Sequence, residues 1–153
     1  MKQLKYILIL LLATSFTSCL KSGLDDLPAY EEAEIEDFYF EYRWLVKNGD
    51  YDQMRVQTMN VTATIDTDAA TVDCVITVPA ESNGFTTEVR DQVNLSNLVG
   101  FADISIAATM TPINGAPILG KVADFSGATF KYEVTAADGT KKVWTLTISD
   151  FIK

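Results

Sequence analysis

The chain has 153 residues, 48% of them hydrophobic, which is the size of a single domain with one buried core. Its 21 acidic residues outnumber 12 basic ones for a formal charge of −9, a balance that repels phosphate backbones and argues against a nucleic-acid partner. With no histidine and only two cysteines, serine and cysteine triads and structural zinc sites are excluded on inventory, and no cofactor is expected because no glycine-rich phosphate loop follows a strand.

The chain opens with Met1-Lys2-Gln3-Leu4-Lys5, continues through the apolar run Tyr6 to Ala13, and reaches small polar residues ending at Ser18-Cys19. A basic segment, a short apolar segment and a small-residue site make residues 1–18 a signal peptide. The apolar run falls short of the roughly 20 residues a membrane-spanning helix needs. Ser15-Phe16-Thr17-Ser18-Cys19 resembles the looser lipoboxes of Bacteroidetes, with Phe16 where an aliphatic residue is usual. The resemblance implies lipidation of Cys19, so that the mature protein begins there and its membrane partner is reached through an N-terminal lipid anchor. Several acyl chains at about 0.8 kcal/mol per buried methylene make such an anchor effectively permanent.

Residues 19–30 form the tether, with Gly23, Asp25, Asp26 and Pro28 clustered ahead of the first apolar segment. Lys21 followed by Asp25, Asp26, Glu31, Glu32 and Glu34 is similar to the lysine-plus-acid signal that sends such lipoproteins to the outer face of the outer membrane. The expected address is therefore the outer membrane, lipid-anchored and facing the cell exterior. Residues 31–153 make up the single folded domain.

Ile35 to Val46 fits two periods: Ile35, Phe38, Tyr42, Leu45 and Val46 have helical spacing, while Phe38, Phe40, Tyr42, Trp44 and Val46 alternate strictly. Five aromatics within seven positions favour a strand. Asn48-Gly49 supplies a turn, and the next run is expected from Met54. Val56 and Met59 fall out of phase, which predicts a bulge or break between them. Met59 to Ile65 and Thr71 to Val78 form a hairpin around Asp66 to Ala70, closed by Pro79. Cys74 shares a side with Val72, Ile76 and Val78 and has no basic neighbour, so it is expected as a small buried hydrophobe.

Ala80 to Leu98 reads as loop with a short helical turn, and Phe101 to Ala107 as a strand ending before Thr111-Pro112. Ile113 to Gly127 holds Gly115, Pro117, Gly120 and Gly127 and is expected to cross between two sheets. The last hairpin runs Thr129 to Thr135, turns through Ala136-Ala137-Asp138-Gly139, and returns over Lys142 to Ile148. Phe130, Tyr132 and Val134 are expected on one face, with Trp144, Leu146 and Ile148 joining them across the pair. Short strands at this spacing predict an all-β fold, an antiparallel immunoglobulin-like β-sandwich.

Cys19 to Tyr30, Ile104 to Ile113, Asp124-Phe125-Ser126 and Tyr132 to Thr140 together resemble a family of Bacteroidales lipoproteins, of the domain-of-unknown-function 5018 type. That resemblance implies an immunoglobulin-like or cadherin-like sandwich and an association with glycan capture at the outer membrane. It carries over no functional residue beyond Cys19, because fold does not fix function.

No enzyme is expected: a carboxylate pair for glycoside hydrolysis is recognised by separation in space, which a sequence does not display. Asp66-Thr67-Asp68 lacks the six to eight oxygens of a calcium site and is expected as a solvated turn, so no metal site is assigned. Sugar binding would rest on exposed rings that cover the apolar face of a pyranose. The candidates are Trp44, whose parity favours the core, and Tyr39 and Tyr51, which sit among polar residues. The first expectation is a non-catalytic binding or accessory module with a glycan partner. The second is a structural or adhesive module with a protein partner, using an exposed sheet edge.

Overall fold

Strict alternation prevails over helical spacing in the first apolar segment. The computed structural model describes residues 29–153 apart from Asn83, and strand β1 spans Ile35–Asn48 with Phe38, Phe40 and Tyr42 turned inward and buried. The expected signal peptide, Cys19 and the tether up to residue 28 lie outside the described residues. A helix would have spread these rings around its circumference, whereas a strand puts three of them on one face. Gly49, at φ 62°, opens a two-residue turn, and β2 (Tyr51–Thr58) pairs back on β1 from Tyr51 onward rather than from Met54. Positive φ at the first central position is the twist that suits a tight hairpin.

The phase break before Met59 marks a change of sheet. Met59 is buried and donates its backbone N–H to the Phe40 carbonyl at 2.9 Å, after which β3 (Asn60–Asp66) joins the second sheet. β3 and β4 (Thr71–Thr77) form the expected hairpin, with Ala63 opposite Cys74 and the Asp66 carboxylate accepting from the Ala69 N–H at 2.9 Å. A short helix α1 (Thr87–Gln92) and a 3₁₀ turn at Leu95–Asn97 lead into β5 (Leu98–Ile104), which starts and ends three residues earlier than the alternation suggested. The strand reaches Leu98 because the bare backbone at Gly100 lets Phe125 pack directly on it: an added Cβ would lie 2.8 Å from that ring.

Thr111-Pro112 does not end a strand but lies inside one, β6 (Thr109–Ile113). β6 is an edge strand paired only with β8, so the N–H missing at Pro112 breaks no interior ladder. The following connection crosses to the other sheet as expected, contributes the two-residue β7 (Val122–Ala123) against β5, and returns to β8 (Phe130–Thr135) and β9 (Lys141–Ile152).

Two sheets result, in the order β2-β1-β5-β7 and β3-β4-β9-β8-β6. The fold is nearly all β, with one departure from an antiparallel arrangement: β4 and β9 run parallel, pairing Val72 with Leu146 and Cys74 with Ile148. Parallel neighbours need a long connection, and the chain between β4 and β9 supplies one. The pairing also redirects Ile148. In the C-terminal hairpin Tyr132 faces Trp144, Phe130 faces Leu146 and Val134 faces Lys142, so Ile148 has passed beyond β8 and faces β4 instead.

The two sheets share one core. Phe38 of the first sheet lies 6.2 Å from Tyr132 of the second, centroid to centroid, and Phe40 meets Phe125 edge-on at 5.1 Å. Trp144 is fully buried and donates its indole N–H to the Ala33 carbonyl at 3.0 Å, which pins the entry to β1 onto the far sheet. Each such ring, fully buried, contributes about 1.5–3 kcal/mol.

Candidate functional site

β1 outruns the core. Its last four residues, Leu45 to Asn48, are exposed, and β2 carries no fully buried residue, so the β1–β2 ribbon projects past the end of the packed sheets. The strand of 14 residues is about 45 Å long and starts beside the N-terminal segment, so the ribbon tip is the end remote from that segment.

The three aromatic candidates are not brought together. Tyr39 lies on the outer face, half-buried and stacked flat against Phe101, with centroids 5.2 Å and planes 9° apart. Arg43 stands 5.5 Å from the same Phe101 ring and is held by Glu41 at 3.0 Å. Burial, reinforced by the nearby carboxylates of Asp103, Glu41 and Asp37, pushes the Tyr39 hydroxyl above its ordinary pKa. One face of its ring is therefore already occupied, which corrects the expectation of an open platform. Tyr51 is 80% exposed at the ribbon tip, as its polar setting suggested.

Trp44 is on the inner face with Phe38, Phe40 and Tyr42, but at the margin of the core. It packs beside Tyr42, centroids 5.9 Å apart and planes at 14°, and against Phe85 at 5.7 Å. It is half-buried, and its indole Nε1 is buried with no acceptor among the described residues. A buried N–H left without a partner carries a desolvation cost of about 1–3 kcal/mol. Trp144 meets the same demand with a carbonyl; Trp44 does not.

Beneath the ribbon, Trp44 forms the floor of an open cleft of about 630 Å³. One wall is the ribbon, where Val46 and Arg55 share the Trp44 face and Leu45 and Lys47 border the cleft from the opposite face; the other is the α1 region, with Gly84, Thr86, Val89 and Gln92. The hairpin register sets Arg55 directly opposite Trp44, so the two side chains leave the ribbon on the same face. Lys47 is engaged by Asp52 at 2.8 Å. Arg55 was not singled out in the sequence. With Asn48-Gly49 as the two loop residues Trp44 would face Gln53; the turn instead uses Gly49 and Asp50, one residue later, and that register brings Arg55 opposite Trp44. Nothing local in the sequence places Thr86, Val89 and Gln92 across from Trp44.

Among the described residues no cluster of three histidine, cysteine, aspartate or glutamate side chains is arranged to hold a metal ion. Asp66 closes its own turn through Ala69. Cys74 is fully buried, and burial, with Asp73 and Asp37 adding to it, pushes its thiol up to about 12, so at neutral pH it is a packed thiol and not a nucleophile. Among the described residues no helix is long and apolar enough to cross a membrane.

The comparisons agree with this architecture. A solved structure of an inferred secreted protein from Bacteroides fragilis NCTC 9343 is similar over 82% of this chain and 100% of its own length, at 38% identity and a TM-score of 0.75. No curated protein matches the chain. The family described as DUF5018-related matches residues 35–147, which runs from the first residue of β1 well into β9, and the chain belongs to that family.

Proposed function

We propose that this protein is a secreted, non-catalytic lipoprotein of the Bacteroidales, anchored through Cys19 in the outer membrane, whose β1–β2 ribbon and the cleft beneath it bind saccharide for a surface glycan-acquisition system. The observation that carries the reading is the cleft floored by Trp44: an indole and the side chains of Val46 and Val89 offer apolar surface to a sugar ring, while Arg55, Thr86 and Gln92 offer hydrogen bonds to its substituents. Its position supports the same reading, since a chain tethered at its N-terminus presents the far end of β1 to the exterior. The secreted relative from Bacteroides fragilis supports the address. The absence of histidine from the chain supports a binding role over acyl-transfer chemistry.

An immunoglobulin-like sandwich is part of this proposal. β1, β5 and β7 in one sheet and β6, β8 and β9 in the other follow the strand order of that fold, with the β1–β2 and β3–β4 hairpins as additions and β4 running parallel to the last strand.

A glycan array probed with the purified protein tests the saccharide reading. Binding that disappears in Trp44→Ala, in a variant that still melts cooperatively, supports it. Absence of binding to every glycan on the array overturns it.

A second reading, adhesion by strand addition, is favoured by β2. It is an uncovered edge strand, and after the two-residue turn the backbone groups of Asp52, Met54, Val56 and Thr58 point away from β1. Leu45, Met54 and Val56 add exposed apolar surface on its outer face. Placing proline at Met54 would abolish binding of a partner strand and leave saccharide binding intact.

A further inference from the structure

The cleft is unlike the rest of the molecule in charge. The chain carries 21 acidic and 12 basic residues, yet the cleft lining contains no carboxylate, and Arg55 is the charged side chain that the ribbon sends out on the Trp44 face; Lys47 borders the cleft but leaves the ribbon on the opposite face with Asp52. Of α1, Val89 and Gln92 face the cleft; Asp91 does not line it, and Glu88 lies outside the lining with its carboxylate held by the Thr86 hydroxyl. Lys47 already has an anion at 2.8 Å in Asp52. The ion pairs among the described residues join Arg43 to Glu41, Lys47 to Asp52, Lys141 to Glu133 and Lys142 to Glu34. None of them uses Arg55.

The hydrogen-bonding inventory points the same way. A guanidinium is all donors and accepts nothing, whereas a threonine hydroxyl and a glutamine amide each donate and accept; the Trp44 indole N–H is buried beneath the cleft surface. A neutral sugar brings hydroxyls that must also donate, and its sites commonly answer them with carboxylates. Here the lining side chains that can accept are Thr86 and Gln92, and Arg55 accepts nothing, so the cleft holds no carboxylate for a neutral sugar's hydroxyls. A ligand with an excess of acceptors suits the lining better, and a guanidinium fork matches the two oxygens of a carboxylate or two of a sulfate.

Resting on the saccharide reading, we infer that the ligand of this cleft is an anionic saccharide: its acidic group is held by Arg55, and its ring lies against the apolar surface of Trp44, Val46 and Val89. Carboxylate sugars and sulfated sugars share this chemistry. A uronate fits most directly, because its carboxylate is attached to the ring and reaches Arg55 from a ring seated beside Trp44, the residue opposite it in the hairpin.

The test is an array of immobilised neutral, uronate-containing and sulfated glycans, probed with the wild-type protein and with Arg55→Gln, Trp44→Ala and Lys131→Gln. Lys131 is an exposed cation on the other sheet. For each uronate the methyl ester is printed beside the free acid, which removes the charge and keeps the ring. The expected result is binding confined to acidic glycans, lost in the methyl esters, weakened about tenfold or more in Arg55→Gln, and unchanged in Lys131→Gln. Binding to the uronate arm or to the sulfate arm alone identifies the acidic group, and binding falls as salt rises in either arm. Binding to neutral glycans or to methyl esters as strong as to the free acids, abolished in Trp44→Ala, overturns the inference and leaves the saccharide reading standing. Equal loss of acidic-glycan binding in Lys131→Gln and Arg55→Gln also overturns it, because attraction would then be diffuse. Silence of the whole array overturns both.

Discussion

The two tryptophans each sit on the inner face of a hairpin strand, a few residues from the turn, and have opposite fates. Trp144 in β9 faces Tyr132 across its pair, is fully buried, and gives its N–H to the Ala33 carbonyl at 3.0 Å. Trp44 in β1 faces Arg55 across its pair, is half-buried, and has an N–H with no acceptor among the described residues. The C-terminal hairpin lies with β4 and β6 on either side of it in one sheet, and its inner face is closed by the other sheet. The β1–β2 ribbon extends past its own sheet's core. Position relative to the core, and not residue type, separates a structural ring from a ring available to a ligand.

The comparison breaks most visibly through Trp144→Ala, which is expected to cost about 3–5 kcal/mol and to leave the domain largely unfolded near physiological temperature. Trp44→Ala is expected to cost less, about 2 kcal/mol, since the ring is only partly buried at the margin of the core and its N–H is unmatched. Urea titration of both variants, read by circular dichroism, checks the ranking; equal losses would mean that Trp44 belongs to the core.

Gly100→Val tests the core without touching either tryptophan. The new side chain would meet the buried Phe125 ring at 2.8 Å, for an expected loss of about 1–3 kcal/mol in the same titration. Tyr132→Phe is smaller, about 1–2 kcal/mol, because it removes the hydroxyl that donates to the Pro117 carbonyl at 3.0 Å and leaves that acceptor poorly met.

Cys74 sharpens the same contrast through pH. Its thiol, at about 12 in the folded chain, stands above the value it has when unfolded, so the stability it contributes is fully present below the unfolded thiol pKa and drains away as pH rises toward the folded value. Thiol reagent at neutral pH should therefore label Cys74 only at the rate of unfolding, and prompt labelling of the native protein would show that β4 opens locally. The smallest effects are at ion pairs. Lys142→Ala, beside Trp144 at 4.9 Å and paired with Glu34 at 2.7 Å, should cost at most about 1 kcal/mol, and Lys47→Ala, whose partner Asp52 is exposed, nothing measurable in the same titration.

Much of the fold is legible in local pattern. Alternation marks β1, β3, β4, β8 and β9, the break at Met59 marks where the chain changes sheets, and the turns at Gly49 and Gly139 sit where positive φ is required. The misreadings have physical causes. Pro112 looks like a strand end until β6 is known to be an edge, and Ile148 looks like a partner of β8 until β4 is known to lie beyond it. Of the ring candidates, Tyr51 is exposed as its neighbours imply, while Tyr39 is covered by Phe101, a residue far along the chain that parity alone could not bring to it.

Side-chain type and spacing along the chain by themselves determine the all-β class, the hairpins and their inner faces, since each strand's period and each turn's backbone are settled within a few residues. Tertiary structure alone decides the parallel pairing of β4 with β9, the overhang of the β1–β2 ribbon, and the cleft that puts Trp44 and Arg55 against Thr86, Val89 and Gln92. Those features join segments separated by tens of residues, and such contacts are selected by how whole surfaces pack and close loops, which no short stretch of sequence encodes.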